Sequence, residues 1–402
     1  MTRPRILITG VGLITALGPD AEACWSAIVR GKCGVGPVDL FDVSPYVGKV
    51  GAQIRFPLPL PKLSRADQRR LSRCDLIGLA AAKEALHDAG DPVRDDRFGL
   101  AVGAGAGGMF DAERYHERFV KEGPGTRAPL RDLSSFLPDA TAEWIGRAFG
   151  LGGPRVTVAT ACSSSATAIG IGADWIRSGR ADRVLCGGAD ALSRVTWGGF
   201  NSLRAVDPGP CRPFDKARGG ISLGEGAGFL VLEREDLVKT KPRAVFGGYG
   251  VTSDAFHMTN PHPEGASASA AIRAALADSG IRPEDVDYVN AHGTGTPAND
   301  TAESKAIRAA LGDATRACVS STKSQVGHTL GAAGGVEAAV TVLAVERGVA
   351  PPNVTTTEID PSCLPIDVVL GEGRPLAIRH AVSNSFAFGG NNCALVFSKV
   401  AR

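Results

Sequence analysis

Two stretches of this chain repeat one form. Gly224-Glu-Gly-Ala-Gly-Phe-Leu-Val-Leu-Glu233 and Phe388-Gly-Gly-Asn-Asn-Cys-Ala-Leu-Val-Phe397 are each a glycine turn running into an apolar strand. Each is preceded by a helix of small residues, Ser163–Ser178 in one case and Leu330-Gly-Ala-Ala-Gly-Gly-Val336 onward in the other. In the first helix Ile169, Ala173 and Ile176 form one stripe, the remaining positions up to Ala173 are mostly Ser, Ala and Gly, and Gly179 stops it. A helix with so few large side chains packs close to its neighbours, so both belong at the centre of the fold, one against the other. A polar, Pro-containing break, Lys239-Thr-Lys-Pro-Arg243, separates the repeats. The chain is therefore divided near residue 240, into 1–240 and 241–402, the two halves sharing an interface.

Around these landmarks strand-like runs recur at Ile6–Ile8, Phe98–Val102, Val156–Ala159, Val184–Cys186, Phe229–Leu232, Val245–Tyr249, Val286–Asn290, Ala317–Ser320, Ala381–Ser383 and Ala394–Phe397. Helical patterns alternate with them at Asp67–Ala89, Thr141–Phe149, Ser163–Ser178, Ser267–Ser279, Ala298–Leu311 and Ala332–Arg347. That alternation specifies an α/β protein with largely parallel sheets. The 51 glycines fall in short runs beside apolar segments, the pattern of tight turns and close backbone approach rather than of a low-complexity tract.

Charge and cysteine content narrow the function. With 44 basic and 42 acidic residues the chain has no broad electrostatic attraction for nucleic acid. Nine cysteines without a C-x-x-C pair argue against a disulfide scaffold and a zinc ribbon. No run reaches the roughly 20 apolar residues that span a bilayer, and the apolar stretch at the N-terminus is too short for a signal peptide. The expected setting is cytoplasmic, with most cysteines buried as small hydrophobes.

Cys162 reads differently. Val156-Thr-Val-Ala-Thr-Ala-Cys162-Ser-Ser-Ser is strand, sharp turn and helix start. Unpaired amides and the helix dipole at such a place favour thiolate, the nucleophilic form, and the same amides can hold an oxyanion. The bland alternative is a buried structural thiol. Asn290-Ala-His292-Gly-Thr294-Gly-Thr296 and Ser320-Ser-Thr-Lys323-Ser-Gln-Val-Gly-His328 place two histidines and a lysine just past two further strands. Strand ends in α/β folds converge on sites, and histidine donates hydrogen bonds or exchanges protons near neutral pH. A surface role for either histidine is the alternative. The glycine-rich turn Asn384–Asn392 offers a second oxyanion donor. Gly103-Ala-Gly-Ala-Gly-Gly108 formally matches G-x-G-x-x-G, but no second strand with an acidic end follows it. His257 and His262 flank Asn260-Pro261 as loop residues without metal-ligand partners.

Taken together, Thr160-Ala-Cys162-Ser-Ser-Ser, Asn290-Ala-His292-Gly-Thr-Gly-Thr, Ser321-Thr-Lys323-Ser-Gln-Val-Gly-His328 and Asn384-Ser-Phe-Ala-Phe-Gly-Gly390 resemble the elongating β-ketoacyl-[acyl carrier protein] synthases over essentially the whole chain. The resemblance implies a duplicated thiolase-like fold of layered mixed sheets with buried helices between them. It implies a Cys-His-His site in which Cys162 accepts the acyl chain and His292 and His328 bind the malonyl thioester and assist its decarboxylation. Lys323 is expected to position His328, and Glu337 to pair within the same network. Thr294 and Thr296 are expected on the phosphopantetheine arm, and the amides of Cys162 and Phe388 at the oxyanion, with Phe388 gating the acyl pocket. Ala106 takes a position that carries a bulky aliphatic residue in common elongation synthases, which implies a deeper acyl pocket; close packing of the glycine turn is the alternative. Arg65, Arg69 and Arg70 match a basic stretch expected to dock the acidic acyl carrier protein; a merely solvated basic face is the alternative. No metal, nucleotide or redox cofactor is implied, and the partners are the carrier protein and either a second copy or a chain-length-factor-like homologue, with no nucleic acid and no membrane.

Departures from housekeeping enzymes are Ala387 for a gate-loop glycine, Asn391 where threonine is common, and a short Phe200–Phe214 segment. These are more similar to ketosynthases of aryl-polyene and related type II polyketide systems; housekeeping fatty-acid elongation is the alternative. Thiolases (Cys-His-Cys), in which Cys393 would count, and initiating synthases (Cys-His-Asn) are set aside by His328, and a non-catalytic chain-length partner by the presence of Cys162.

Overall fold

The computed structural model describes residues 3–127 and 129–401. The first half runs β1 (Ile6–Thr15), α1 (Arg73–Asp88), β2 (Phe98–Gly103), α2 (Ala140–Phe149), β3 (Arg155–Val158), α3 (Ser164–Arg177), β4 (Arg183–Asp190) and β5 (Gly226–Arg234). The second runs β6 (Ala244–Ser253), α4 (Ala266–Ser279), β7 (Tyr288–Asn290), α5 (Pro297–Leu311), β8 (Cys318–Ser320), α6 (Ala333–Arg347), β9 (His380–Phe386) and β10 (Asn391–Ser398). Strand order is β3-β2-β4-β5-β1 in one half and β8-β7-β9-β10-β6 in the other. In both, the first three strands of that order are parallel and the last two join antiparallel. Each half is thus the same topological unit. The two half-sheets meet where β1 and β6 pair antiparallel, Ile6 opposite Phe246 and Ile8 opposite Ala244.

The layers follow from side-chain size. α3 and α6 touch each other and lie between the half-sheets, whereas α1 and α2 cover the outer face of the first and α4 and α5 that of the second. In α6 every residue from Ala333 to Val345 is buried. A Cβ on Gly334 would come within 2.7 Å of Ala166 on α3, and one on Gly103 or Gly228 would strike the backbone of α3 or α6. Close helix–sheet approach of this kind leaves no room for a methyl group.

Two of the differences from the sequence expectation bear on packing. β1 continues to Thr15 instead of stopping at Ile8, because Gly10 and Gly12 lie within the strand. Side chains there would collide with the Ala85 and Ala81 carbonyl oxygens of α1; Gly250 of β6 meets Ala271 of α4 in the same way. The helix expected over Asp67–Ala89 is broken into Arg65–Gln68 and α1. Ser72 and Asp75 form a capping box, the Ser72 amide and hydroxyl both donating to Asp75 Oδ2 at 2.7 and 2.8 Å, and this starts α1 afresh.

Gly12→Ala is expected to destabilise the fold by about 1–3 kcal/mol through overpacking, read as a lower urea midpoint. Gly36→Ala, whose Cβ meets nothing within 4 Å, serves as the control and should leave the midpoint in place. Equal midpoints for the two variants would show that α1 does not need the glycine.

Candidate active site

β3 ends at Val158, and the chain turns through Ala161, which takes a left-handed φ of +52°. Such a conformation is unfavourable for a residue with a Cβ and persists only where its surroundings hold it. The serines after Cys162 do so. Ser164 Oγ accepts the Thr160 amide at 2.9 Å and donates to the Ala161 carbonyl at 2.6 Å, and Ser163 Oγ donates to the Thr160 carbonyl at 2.8 Å. Cys162 is thereby fixed in a 3₁₀ turn leading into α3, its thiol buried.

His328 reaches this thiol from the other half of the chain. Its Nε2 lies 3.1 Å from Cys162 Sγ, and its Nδ1 accepts the Leu330 amide at 3.1 Å. His292 follows β7; the Glu303 carboxylate holds its loop by accepting the amides of His292 and Gly293 at 2.8 and 2.7 Å. The two imidazoles stand edge to face with centroids 5.3 Å apart, and the donor atoms of Cys162, His292 and His328 lie within 4.8 Å of one another. On donor chemistry alone such a set could hold a soft cation.

Lys323 sits on His292, not on His328 as the motif suggested. Its Nζ is 3.1 Å from His292 Nδ1, donates to the His292 carbonyl at 2.6 Å, and is ion-paired with the buried Glu337. The reason is topological: Lys323 opens the turn after β8, which is paired with β7, the strand that delivers His292. Towards His328 the ammonium acts only through its field.

These contacts fix both tautomers. Nδ1 of His328 faces a backbone N–H and Nδ1 of His292 faces an ammonium, so in each neutral ring the proton resides on Nε2. Neutral they are: burial first, and the Lys323 charge second, push both imidazoles well below the usual histidine range, His328 adding to the effect on His292. Burial pushes the Glu337 carboxyl up to about 7 against the pull of Lys323.

Burial also overrides the expectation of a resting thiolate. The Cys162 thiol is pushed up to about 11 by desolvation, although Lys323 and the amides of Phe388 and Cys162 pull it down. Both amides thus lie close enough to the thiol to favour its charged form, beside the place where an oxyanion would develop.

A cavity of about 290 Å³ opens onto the thiol and is lined by Cys162, His292, His328, Thr294, Thr296 and Phe388, among others. Thr294 and Thr296 hydrogen-bond each other through their hydroxyls at 2.9 Å. The Phe388 ring packs on Phe200 with centroids 5.7 Å apart. Ala106 is not on the wall of this cavity; its amide donates to Asp190. Arg65, Arg69 and Arg70 are exposed, the latter two lining a surface cleft with Arg114 and Arg131. Cys393 is buried on β10, outside the Cys162 cluster. Sequence reasoning missed Asp300 and Glu303, which sit three apart on the first turns of α5, directly after the Gly-Thr-Gly-Thr loop. Asp300 accepts the amides of Phe214 and Gly295 at 2.7 and 3.2 Å. An acidic pair at a helix start beside a glycine loop was the available signal.

Because the resting group is a thiol, alkylation of Cys162 by iodoacetamide should accelerate about tenfold per pH unit between about pH 7 and 9. Peptide mass spectrometry in a Cys33→Ser background removes the exposed competitor. A plateau below about pH 8 would instead reveal a preformed thiolate.

The comparisons with known proteins agree with this geometry. Residues 3–237 match the beta-ketoacyl synthase N-terminal domain and residues 243–357 the beta-ketoacyl synthase C-terminal domain. The 3-oxoacyl-[acyl-carrier-protein] synthase 2 of Synechocystis sp. is 36% identical over 413 residues, covering 99% of each protein. The solved structure of the ishigamide ketosynthase/chain length factor superposes with a TM-score of 0.95 at 33% identity, covering 100% of both chains. AntDE:AntF, a type II PKS acyl-carrier protein in complex with its ketosynthase bound to the hexaketide, gives a TM-score of 0.89 at 28% identity, covering 99% of this chain and 100% of that one. With the duplicated thiolase-like topology and these full-length matches, the chain belongs to the β-ketoacyl synthase family.

Proposed function

We propose that the protein is a 3-oxoacyl-[acyl carrier protein] synthase that lengthens an acyl chain by two carbons through decarboxylative condensation. The observation that carries this is the pair of neutral imidazoles, each with its Nδ1 occupied and its Nε2–H left to donate, beside a buried cysteine. In the first step Cys162 Sγ attacks the acyl thioester; the oxyanion takes the amides of Cys162 and Phe388, and the thiol proton leaves on the departing phosphopantetheine sulfur. In the second, the bond to the malonyl carboxylate breaks, carbon dioxide departs, and the electron pair moves onto the thioester oxygen. That enolate oxygen takes hydrogen bonds from His292 and His328. The donors strengthen as charge develops, which lowers the barrier rather than merely binding substrate. In the third, the enolate carbon attacks the acyl-Cys162 carbonyl, the carbon–sulfur bond to Cys162 breaks, and the thiolate released takes a proton from solvent to restore the thiol. None of these steps calls on a metal or redox cofactor.

Thr294 and Thr296 are assigned to the phosphopantetheine arm and Phe388 to the entrance. Arg65, Arg69 and Arg70 are assigned to docking of the acidic carrier protein, and the dimer partner is a second copy or a chain-length-factor-like homologue. No helix of the described residues is long and apolar enough to cross a membrane, in keeping with a cytoplasmic enzyme. The substrate is read as a growing type II polyketide or aryl-polyene chain. The full-length likeness to the ishigamide ketosynthase/chain length factor favours that, and the 36% identity to a synthase 2 supports fatty-acid elongation as the second reading. Intact-mass competition among acyl-carrier proteins of differing length and unsaturation separates the two: preferential loading of Cys162 by conjugated chains supports the polyketide assignment, and by saturated chains the other.

Cys162→Ala is expected to abolish condensation, and a covalent acyl-enzyme in that variant would overturn the assignment of the nucleophile. His292→Ala and His328→Ala should lower malonyl decarboxylation by about 10²–10³-fold, the scale of a lost transition-state donor, while leaving acylation of Cys162 measurable. Equal losses in both assays would refute the division of labour. Arg69→Glu with Arg70→Glu should raise KM for the carrier protein, with the wild-type KM rising and the difference shrinking as salt screens the attraction; an unchanged KM at low salt would mark these arginines as a solvated face.

A further inference from the structure

Asp190 closes β4 in the first half of the chain, yet its carboxylate serves a turn of the second half. It is fully buried. Oδ2 accepts the amide of Gly331 at 2.7 Å and Oδ1 that of Ala106 at 2.9 Å, and the nearby amides of Gly105 and Gly107 also favour the charged carboxylate. The glycine-rich loop that formally matched a dinucleotide pattern is therefore engaged by a carboxyl group of the protein itself, one that burial pushes up to about 7 against the pull of these amides.

The duplication shows what this carboxyl group replaces. Leu330, at φ +50°, opens the 3₁₀ turn that leads into α6 as Ala161, at +52°, opens the turn that leads into α3. Gly331 is thus the topological counterpart of Cys162. In one half the amide after the left-handed residue is left for a substrate oxyanion; in the other it is held by Asp190. The turn so held is the one that sets the general donor of the site, because the Leu330 amide donates to His328 Nδ1 and thereby keeps the proton on Nε2, facing Cys162 Sγ.

We propose that Asp190 is a positioning residue for the condensation: by gripping the Gly331 amide it maintains the left-handed turn at Leu330 that orients His328 and fixes its tautomer. This rests on the reading of His328 as a donor to the enolate. Asp190→Asn preserves size but turns an NH₂ group towards an amide that needs an acceptor, an arrangement costly in a buried site. The full chain is assayed for malonyl decarboxylation, for acylation of Cys162 and for thermal unfolding, with the wild type alongside. In Asp190→Asn the kcat for decarboxylation is expected to fall about 10- to 100-fold through displaced geometry. KM for malonyl-carrier protein and the acylation rate should stay within about threefold, since Asp190 does not contact the amides of Cys162 and Phe388. Asp190→Asn/Leu330→Gly should regain at least about fivefold, glycine holding the turn without help. Undiminished decarboxylation in folded Asp190→Asn, equal loss of acylation and decarboxylation, or a double variant no better than the single would overturn the proposal. Should the single variant not fold, Leu330→Gly is compared with the double: matching decarboxylation supports the proposal, and a further loss of about tenfold or more in the double overturns it. A wild type that does not decarboxylate malonyl-carrier protein would refute the donor role of His328 instead.

Discussion

The contact between α3 and α6 sets the geometry of everything else. Two helices without bulky side chains on their facing surfaces lie between two half-sheets, so their N-terminal turns come to the same end of the molecule. Cys162 stands at the start of one and the Leu330 turn that orients His328 at the start of the other. Neither half of the chain contains a complete site. The 3.1 Å approach of His328 to Cys162 crosses the interface between them, and one extra methyl group at Gly334 would push apart the helices that follow the two residues.

Desolvation does most of the electrostatic work in the site that results. It raises the cysteine, lowers both histidines and raises the carboxyls beneath them. The single buried ammonium, Lys323, pulls in the same direction on the histidines and in the opposite direction on the thiol. Glu337 compensates this ammonium; a buried charge without such a partner would be strongly destabilising. The outcome is a pocket whose donors carry no net charge at rest. It becomes complementary to charge only when an oxyanion or enolate forms within it, the condition under which binding energy lowers a barrier.

The two halves share strand order and helix placement but have diverged in what fills the turn after the third strand. On the first side a thiol and open amides face a cavity. On the second a glycine stands where the cysteine would be, and a carboxylate from β4 occupies the amides. A duplicated framework thus supplies one turn for reaction and one for support, and the glycines that look alike in the sequence serve different ends in each.

Much of this is legible in the amino-acid sequence. The small-residue helices, the repeat of glycine turn and strand, and the positions of Cys162, His292, Lys323 and His328 after strand ends determine the fold class and the membership of the site. Composition and periodicity are local, and so is the placement of a residue just past a strand. Other features depend on which backbones approach one another. The strand-like run ends at Ile8 in the sequence because nothing nearby reveals that α1 lies on Gly10 and Gly12. Lys323 precedes His328 by five residues yet bonds to His292, since adjacency of β7 and β8 outweighs separation along the chain. The thiolate expected from a helix start became a buried thiol because desolvation is a property of the whole enclosure, and Asp190 acquired its role from a loop and a turn far from it in sequence. Which groups the protein brings to its chemistry is written in the order of its residues. Their partners, protonation and direction come from folding, because those depend on distances and burial that arise when the two halves close on each other.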